Sequence, residues 1–387
     1  MAFTIVRDGL VLDIAAGTAV AADILIEDDT IRELGPPGLP APEGARLLSA
    51  ALKLIHPGLV NAHTHSHGNL GKGMGDRWTL ELLLAAAPWI GGNRTIDDIN
   101  LSAQLGAAEM VLKGCTACYD LFFEWPLPTA EGMARVGAAY AEIGMRAVIA
   151  PMVADRSFYE AIPGLAEALP KALQEHVAAL RLAPGEATLK AIRDAFHAWS
   201  FNRDQIRPAM APTIPHHCSD AFILGSAALA RDFDMGLHSH VAESKVQALT
   251  GIRVYGETQT AHLARLGVLG PHFTVAHGVW LDQDDMARLG DHGASVAHNP
   301  GSNMRLGSGL ADTRAMLDRK VNLGIGTDGA SCADNQNMYE ALRLASFVSK
   351  VQGPEWQRWL TTREAALAAT EGSARALGFD RIGRIAP

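Results

Sequence analysis

From Leu54 onward the chain repeats one pattern: a short apolar run that ends in polar residues, then an alanine- or leucine-rich stretch of helical period. That alternation predicts βα units around a parallel sheet, with strands at 54–63, 115–120, 146–153, 206–211, 235–240, 273–277, 294–298 and 321–327. Eight strands fit a closed barrel, for which roughly 250 residues are typical. The predicted fold class is α/β, a (β/α)8 TIM barrel over residues 54–370 with a small β-sandwich domain. Residues 1–53 supply the amino-terminal part of that small domain through short strand-like pieces around Ile5, Val11 and Ile24 and the connector GPPGLPAPEG. Residues 371–387 are expected to begin the return to it. The longest insertion, 157–203, reads as helical.

Composition narrows the class. With 387 residues, 48% hydrophobic and 19% charged, the chain can bury a large core. A formal charge of −9 without a basic block argues against nucleic acid as a partner. The apolar run near Leu82 to Ile90 is too short to span a membrane, so no membrane partner and a cytoplasmic location are expected. Four scattered cysteines do not make a disulfide framework. Cys115 and Cys118 fall in a strand-like run, where residues three apart face opposite sides, so a functional CxxC is not expected.

Chemistry enters at the strand ends, which converge on one site in such barrels. The first strand ends in His63-x-His65, the fifth in His238-Ser239-His240 with Glu243 beyond, the sixth in His277 and the eighth in Asp328. His63 and His65 share a strand face and can grip one ion. His238 and His240 share parity too; a position at the strand's very mouth favours His240. Three histidines and the oxygen of Asp328 leave a position for water, whose pKa falls to roughly 7 on zinc.

The blocks HPGLVNAHTH, HSHVAES, LGVLGPHFTVAHGVWL, VAHNPGSNMRLGSG and GIGTDGAS resemble the amidohydrolase superfamily, in the mononuclear branch that holds adenosine-type and guanine deaminases and triazine hydrolases. The resemblance implies metal ligation by His63, His65, His240 and Asp328, with one divalent ion, zinc first and iron second. It implies that Glu243 protonates the ring nitrogen next to the attacked carbon. It also implies that His277 steers water or substrate, and that Asp328 relays the water's proton to the leaving group. The strand-four region QIRPAMAPTIPHHCSD has no lysine to bridge a second metal. Thr213 stands where purine-deaminating relatives commonly have a substrate-reading histidine, which sets a plain adenosine specificity apart. Relatives continue past IGRIAP with strands completing the small domain; without them its edges would need covering, for example by a partner chain.

The expected activity is a metal-dependent hydrolase that removes an amine or another leaving group from an N-heteroaromatic ring, with a small N-heterocycle and water as partners. The alternatives are hydrolysis of a C–N bond in a ring amide or an acyclic non-purine, and a metal-binding protein without catalysis. Glu243 and His277 weigh against the last, since metal binding alone needs neither. Candidate substrate contacts are His67, Trp78, His217 and Arg305, and a homodimer is compatible with the resemblance.

Overall fold

The computed structural model describes every residue, Met1–Pro387. The first 55 residues hold one five-stranded sheet: β1 (Phe3–Asp13), β2 (Thr18–Glu27), β3 (Thr30–Gly35), β4 (Arg46–Ser49) and β5 (Leu54–Ile55). β1 and β2 pair antiparallel, as do β2 and β3, whereas β4 and β5 lie parallel along β1. Ile5, Leu25 and Leu39 form one small apolar cluster; Val11, Ala22 and Ile24 form another, against which Ile385 packs. Ile385 thus reaches this sheet from a position far along the sequence. Asp23 is fully buried in it and accepts from Arg7 Nη1 at 2.8 Å and from the backbone N–H groups of Asp8, Gly38 and Leu39.

Every later strand is parallel to its neighbours. β6 (Leu59–Thr64), β7 (Cys115–Phe122), β8 (Arg146–Val153), β9 (Ile206–Pro208) and β10 (Ala211–Pro212) form one sheet; β11 (Leu237–Val241), β12 (Phe273–His277), β13 (Ser295–His298) and β14 (Asn322–Ile325) form a second. A parallel bridge between Met210 and Leu237 joins the two, and between their other edges Asp328 N donates to His63 O at 2.9 Å. Strands and helices alternate along this region, an α/β architecture built on parallel sheets.

Two expected strands are each divided. Leu54–Ile55 pairs with β1, and the Pro57-Gly58 corner separates it from β6. The run expected at 206–211 splits into β9 and β10 opposite Pro151 of β8, which has no N–H to donate; Pro208 does not interrupt this ladder, since Ala209 N still donates to Ile149 O at 2.9 Å. The cysteine parity also differs from expectation. The β6 register steps from Leu59↔Cys115 to Val60↔Ala117, so Thr116 is a bulge residue, and Cys115 and Cys118 both join the large cluster under the helices as free, buried thiols.

Alternation sorts the strand residues into two cores. Val60, Ala62, Ala117, Tyr119, Leu121, Val148 and Ala150 meet in an inner cluster that also takes in Ala374, Ala376, Leu377 and Phe379. The intervening Leu59, Cys118, Phe122, Ala147 and Ile149 pack outward in a 54-residue cluster with the helices. No helix is long and apolar enough to cross a membrane.

Candidate active site

The polar strand ends meet. The β6 register with β7 jumps from Asn61↔Cys118 to Thr64↔Asp120, one extra residue on β6, and this irregularity re-aims the chain at His63. His63 Nε2 lies 3.4 Å and His65 Nε2 3.2 Å from Asp328 Oδ1, and His65 Nε2 lies 3.2 Å from His240 Nε2. Candidate ligand atoms of His63, His65 and His240 all fall within 4.8 Å of one another, as do those of His63, His277 and Asp328. The convergence brings together all four residues expected to ligate a metal.

The donor set fits a cation. His65 Nδ1 faces Leu121 O at 2.6 Å and His240 Nδ1 faces Thr213 O at 2.7 Å. A carbonyl only accepts, so each Nδ1 carries the proton and each Nε2 presents a bare lone pair. Two such lone pairs at 3.2 Å repel, and the adjacent carboxylate oxygen adds no donor; a positive ion between them removes the conflict. His63 has no hydrogen-bond partner on either ring nitrogen. Burial holds its pKa down to about 3, and burial likewise depresses His240, keeping both in the neutral form that binds metals.

Beside this cluster two carboxyls are driven apart. Glu243 is buried, and burial first, then the charge of Asp328, lifts its pKa well above the carboxylate range despite Gln247 Nε2 donating to it at 3.3 Å. Burial pushes Asp328 upward too, but its contact with His63 and the charges of His277 and His65 outweigh that, and its pKa sits well below the ordinary value. One group can give a proton while the other takes one. His277 Nε2 stands between them, 3.7 Å from Glu243 Oε1 and 3.8 Å from Asp328 Oδ2. Its Nδ1 donates to Asn303 Oδ1 at 2.8 Å, which fixes the ring.

The backbone at these positions is unusual. Ala242, His277 and Asp328 adopt left-handed φ values of 51°, 72° and 61°, conformations that cost non-glycine residues about 1–3 kcal/mol each and persist only where surroundings enforce them. Around Asp328 the enforcement is visible. Gln336, fully buried, donates Nε2–H to Asp328 O at 2.9 Å and accepts from Thr64 Oγ1 at 2.9 Å and Thr327 Oγ1 at 2.6 Å. Gly329 N donates to Asp328 Oδ1 at 2.8 Å.

The cluster opens into a cavity of ≈ 250 Å³. His67 and His217 line it, with burial depressing both pKa values, and Thr213 and Glu243 line it as well. Trp78 and Arg305 are not brought to it. Trp78 packs over Gly75, where a Cβ would come within 2.7 Å of its ring. Arg305 forks onto Asp334 at 2.7 and 3.1 Å and donates to the carbonyls of Met74, Gly75 and Asp76, so its guanidinium is spent on holding that loop. His238 is fully buried beside Tyr119 and His63, at ring distances of 4.5 and 4.9 Å, and does not line the cavity. His216 lies behind His217, its Nδ1 accepting from Gln259 Nε2 at 2.8 Å.

Several lining residues were not legible as such. Leu80, Leu83, Leu84 and Ala87, all on helix Leu80–Gly91, form one wall, and Phe158, Leu180 and Leu182 from the 157–203 insertion form part of another. Their spacing of three and four residues is also that of a helix facing a core, so the pattern alone does not mark a ligand surface. Arg94 lines the cavity and donates to His67 O.

A model of the amidohydrolase family matches residues 54–387. A 5'-deoxyadenosine deaminase of Methanothermobacter thermautotrophicus is 32% identical over 373 residues, covering 96% of this chain and 80% of that protein. Among solved structures, an adenosine deaminase from Xanthomonas campestris with bound zinc is 26% identical, with a TM-score of 0.85 over 99% of this chain and 82% of its own. An atrazine chlorohydrolase from Arthrobacter aurescens complexed with zinc is 25% identical, with a TM-score of 0.86 over 98% of this chain and 84% of its own.

Proposed function

Because the chain belongs to the amidohydrolase family, we infer that its parallel strands make a (β/α)8 barrel and that the protein is an aminohydrolase of N-heteroaromatic rings. His63, His65, His240 and Asp328 would hold one divalent ion, zinc by preference. When bound, that ion supplies Lewis acidity that makes water a nucleophile near neutral pH. The observation that carries the reading is the convergence of these four residues with Glu243 and His277 at one cavity.

The residues divide the proton work. Asp328 accepts a proton from the attacking water, and the protonated Glu243 donates to the ring nitrogen beside the attacked carbon. His277, fixed through Asn303, orients water or the ring substituent. The proton on Asp328 then leaves with the amine and the added oxygen's remaining proton returns to Glu243 as the carbonyl forms, so water adds and ammonia departs with protons in balance. The relatives named for deamination support this, and the likeness to a chlorohydrolase favours a second reading in which a halide is displaced by the same apparatus.

Ammonia release should be screened with zinc-loaded protein over purines, pterins, pyrimidines and amino-triazines. Glu243→Gln should lower kcat by about 10²–10⁴-fold while stoichiometric metal is retained. Turnover unaffected by that change, or by complete removal of metal, would sink the reading.

A further inference from the structure

We propose that the ring this site takes carries an apolar substituent rather than a hydroxylated, sugar-like one; the proposal rests on the aminohydrolase reading and names its substrate class. Away from the strand ends the cavity is walled by Leu80, Leu83, Leu84 and Ala87, which sit at i, i+3, i+4 and i+7 of helix Leu80–Gly91. Of these only Leu80 is buried. Leu80 packs with Leu306 and Cys332, and Leu83 and Leu84 lie only partly buried against that cluster, so the stripe keeps apolar surface open to the cavity and to a ligand. Phe123, Trp125 and Phe158 also line the space and offer faces for packing alkyl groups.

Free carboxylate and amide acceptors for a vicinal diol are missing from this part, whose remaining polar side chains include Arg156, Thr188 and Ser331. No asparagine or glutamine lines the cavity, and its carboxylates are Glu124, Glu243 and Asp328. The last two belong to the reaction centre. Glu124 is spent on Thr129, accepting from its N–H at 2.7 Å and its hydroxyl at 2.8 Å. Ser157 donates to Glu160 at 2.8 Å, and Arg94 is turned to the carbonyl of His67. Hydroxyls brought here would lose water without gaining an acceptor carboxylate or amide, whereas a buried alkyl chain gains by leaving water.

The test uses zinc-loaded protein and ligands matched except in the tail: butyl against 3,4-dihydroxybutyl, each on purine and on s-triazine. Affinity is measured by calorimetry with rings lacking a leaving group, and turnover with their amino forms. The butyl ligand should bind about tenfold or more tightly than the diol on at least one ring. Ala87→Asp, at an exposed position, places a carboxylate on the wall and should bring that ratio toward unity, its folding checked by thermal melting. Equal or tighter binding of the diol overturns the proposal, as does binding of neither tail on either ring. Tight butyl binding without any turnover supports the tail preference and counts against the aminohydrolase reading instead.

Discussion

Replacing Gln336 with leucine keeps the volume roughly constant and removes the side chain that ties Thr64, at the end of β6, to Thr327 and Asp328 just past β14. Three hydrogen bonds disappear: Nε2–H to Asp328 O at 2.9 Å, and the hydroxyls of Thr64 and Thr327 to Oε1 at 2.9 and 2.6 Å. Each is worth about 1 kcal/mol net when buried. Thr64 and Thr327 keep a second acceptor in Asp328 O, at 3.0 and 3.2 Å, so neither hydroxyl is orphaned. Each hydroxyl has one proton and passes it to Asp328 O, so the expected net loss is about 1 kcal/mol, that of the Nε2–H bond, rather than the larger penalty of stranded groups. Asp328 also loses part of what holds its left-handed backbone, so its carboxylate should drift from the three histidines and zinc affinity should fall about 10–100-fold. Urea denaturation of metal-free protein reads the first effect, and competition with a chelator reads the second. A variant within about 0.5 kcal/mol of the parent, with zinc affinity within about twofold, would refute both the packing argument and the orienting role.

Two further changes test parts away from the chemistry. Asp23→Ala should destabilise the amino-terminal sheet by about 2 kcal/mol, because the buried N–H of Leu39 loses its acceptor and Arg7, which keeps Leu39 O, loses its ion pair. Burial raises the pKa of Asp23, but the N–H groups of Gly38, Asp8 and Leu39 and the charge of Arg7 win, leaving it below its ordinary value of 3.8. The stability it confers is thus complete above that value and is lost as pH falls through the folded pKa, and an acid titration of parent and variant should converge there. Arg305→Ala frees the 74–76 carbonyls, so amide exchange should quicken in that loop while kcat changes by less than about threefold; a large kcat loss with unchanged exchange would show that the arginine acts on the substrate after all.

Much of the site could be read from residue order because strand ends are the one place where sequence position implies spatial convergence. His63, His65, His240, Asp328, Glu243 and His277 all follow from that rule or from the motif blocks. Arg305 and Trp78 escaped it, since they lie on segments whose direction no periodicity fixes. Arg305 was claimed by Asp334, a residue 29 positions on. The cysteine parity failed for a different reason: one bulge at Thr116 resets the alternation, and no residue there announces it. Gln336 was invisible because it joins Asp328 to Thr64, 264 positions away, and no local pattern marks such a link. The break in the fourth strand was hidden too, because the missing N–H belongs to Pro151 on the neighbouring strand.

The inner cluster has a consequence for how the chain matures. Its walls come from Val60, Ala117 and Val148, yet Ala374, Leu377 and Phe379 fill it from more than two hundred residues downstream, a separation typical of slow-forming contacts. While the polypeptide is being made, the first strands must wait with one end of their interior exposed. That interval is when the protein is most open to aggregation or to chaperone capture. Small residues such as Ala62, Ala117 and Ala150 keep the exposed surface modest during the wait. Substitutions that enlarge them would therefore be felt during synthesis, in the yield of folded protein, before they were felt in the finished enzyme.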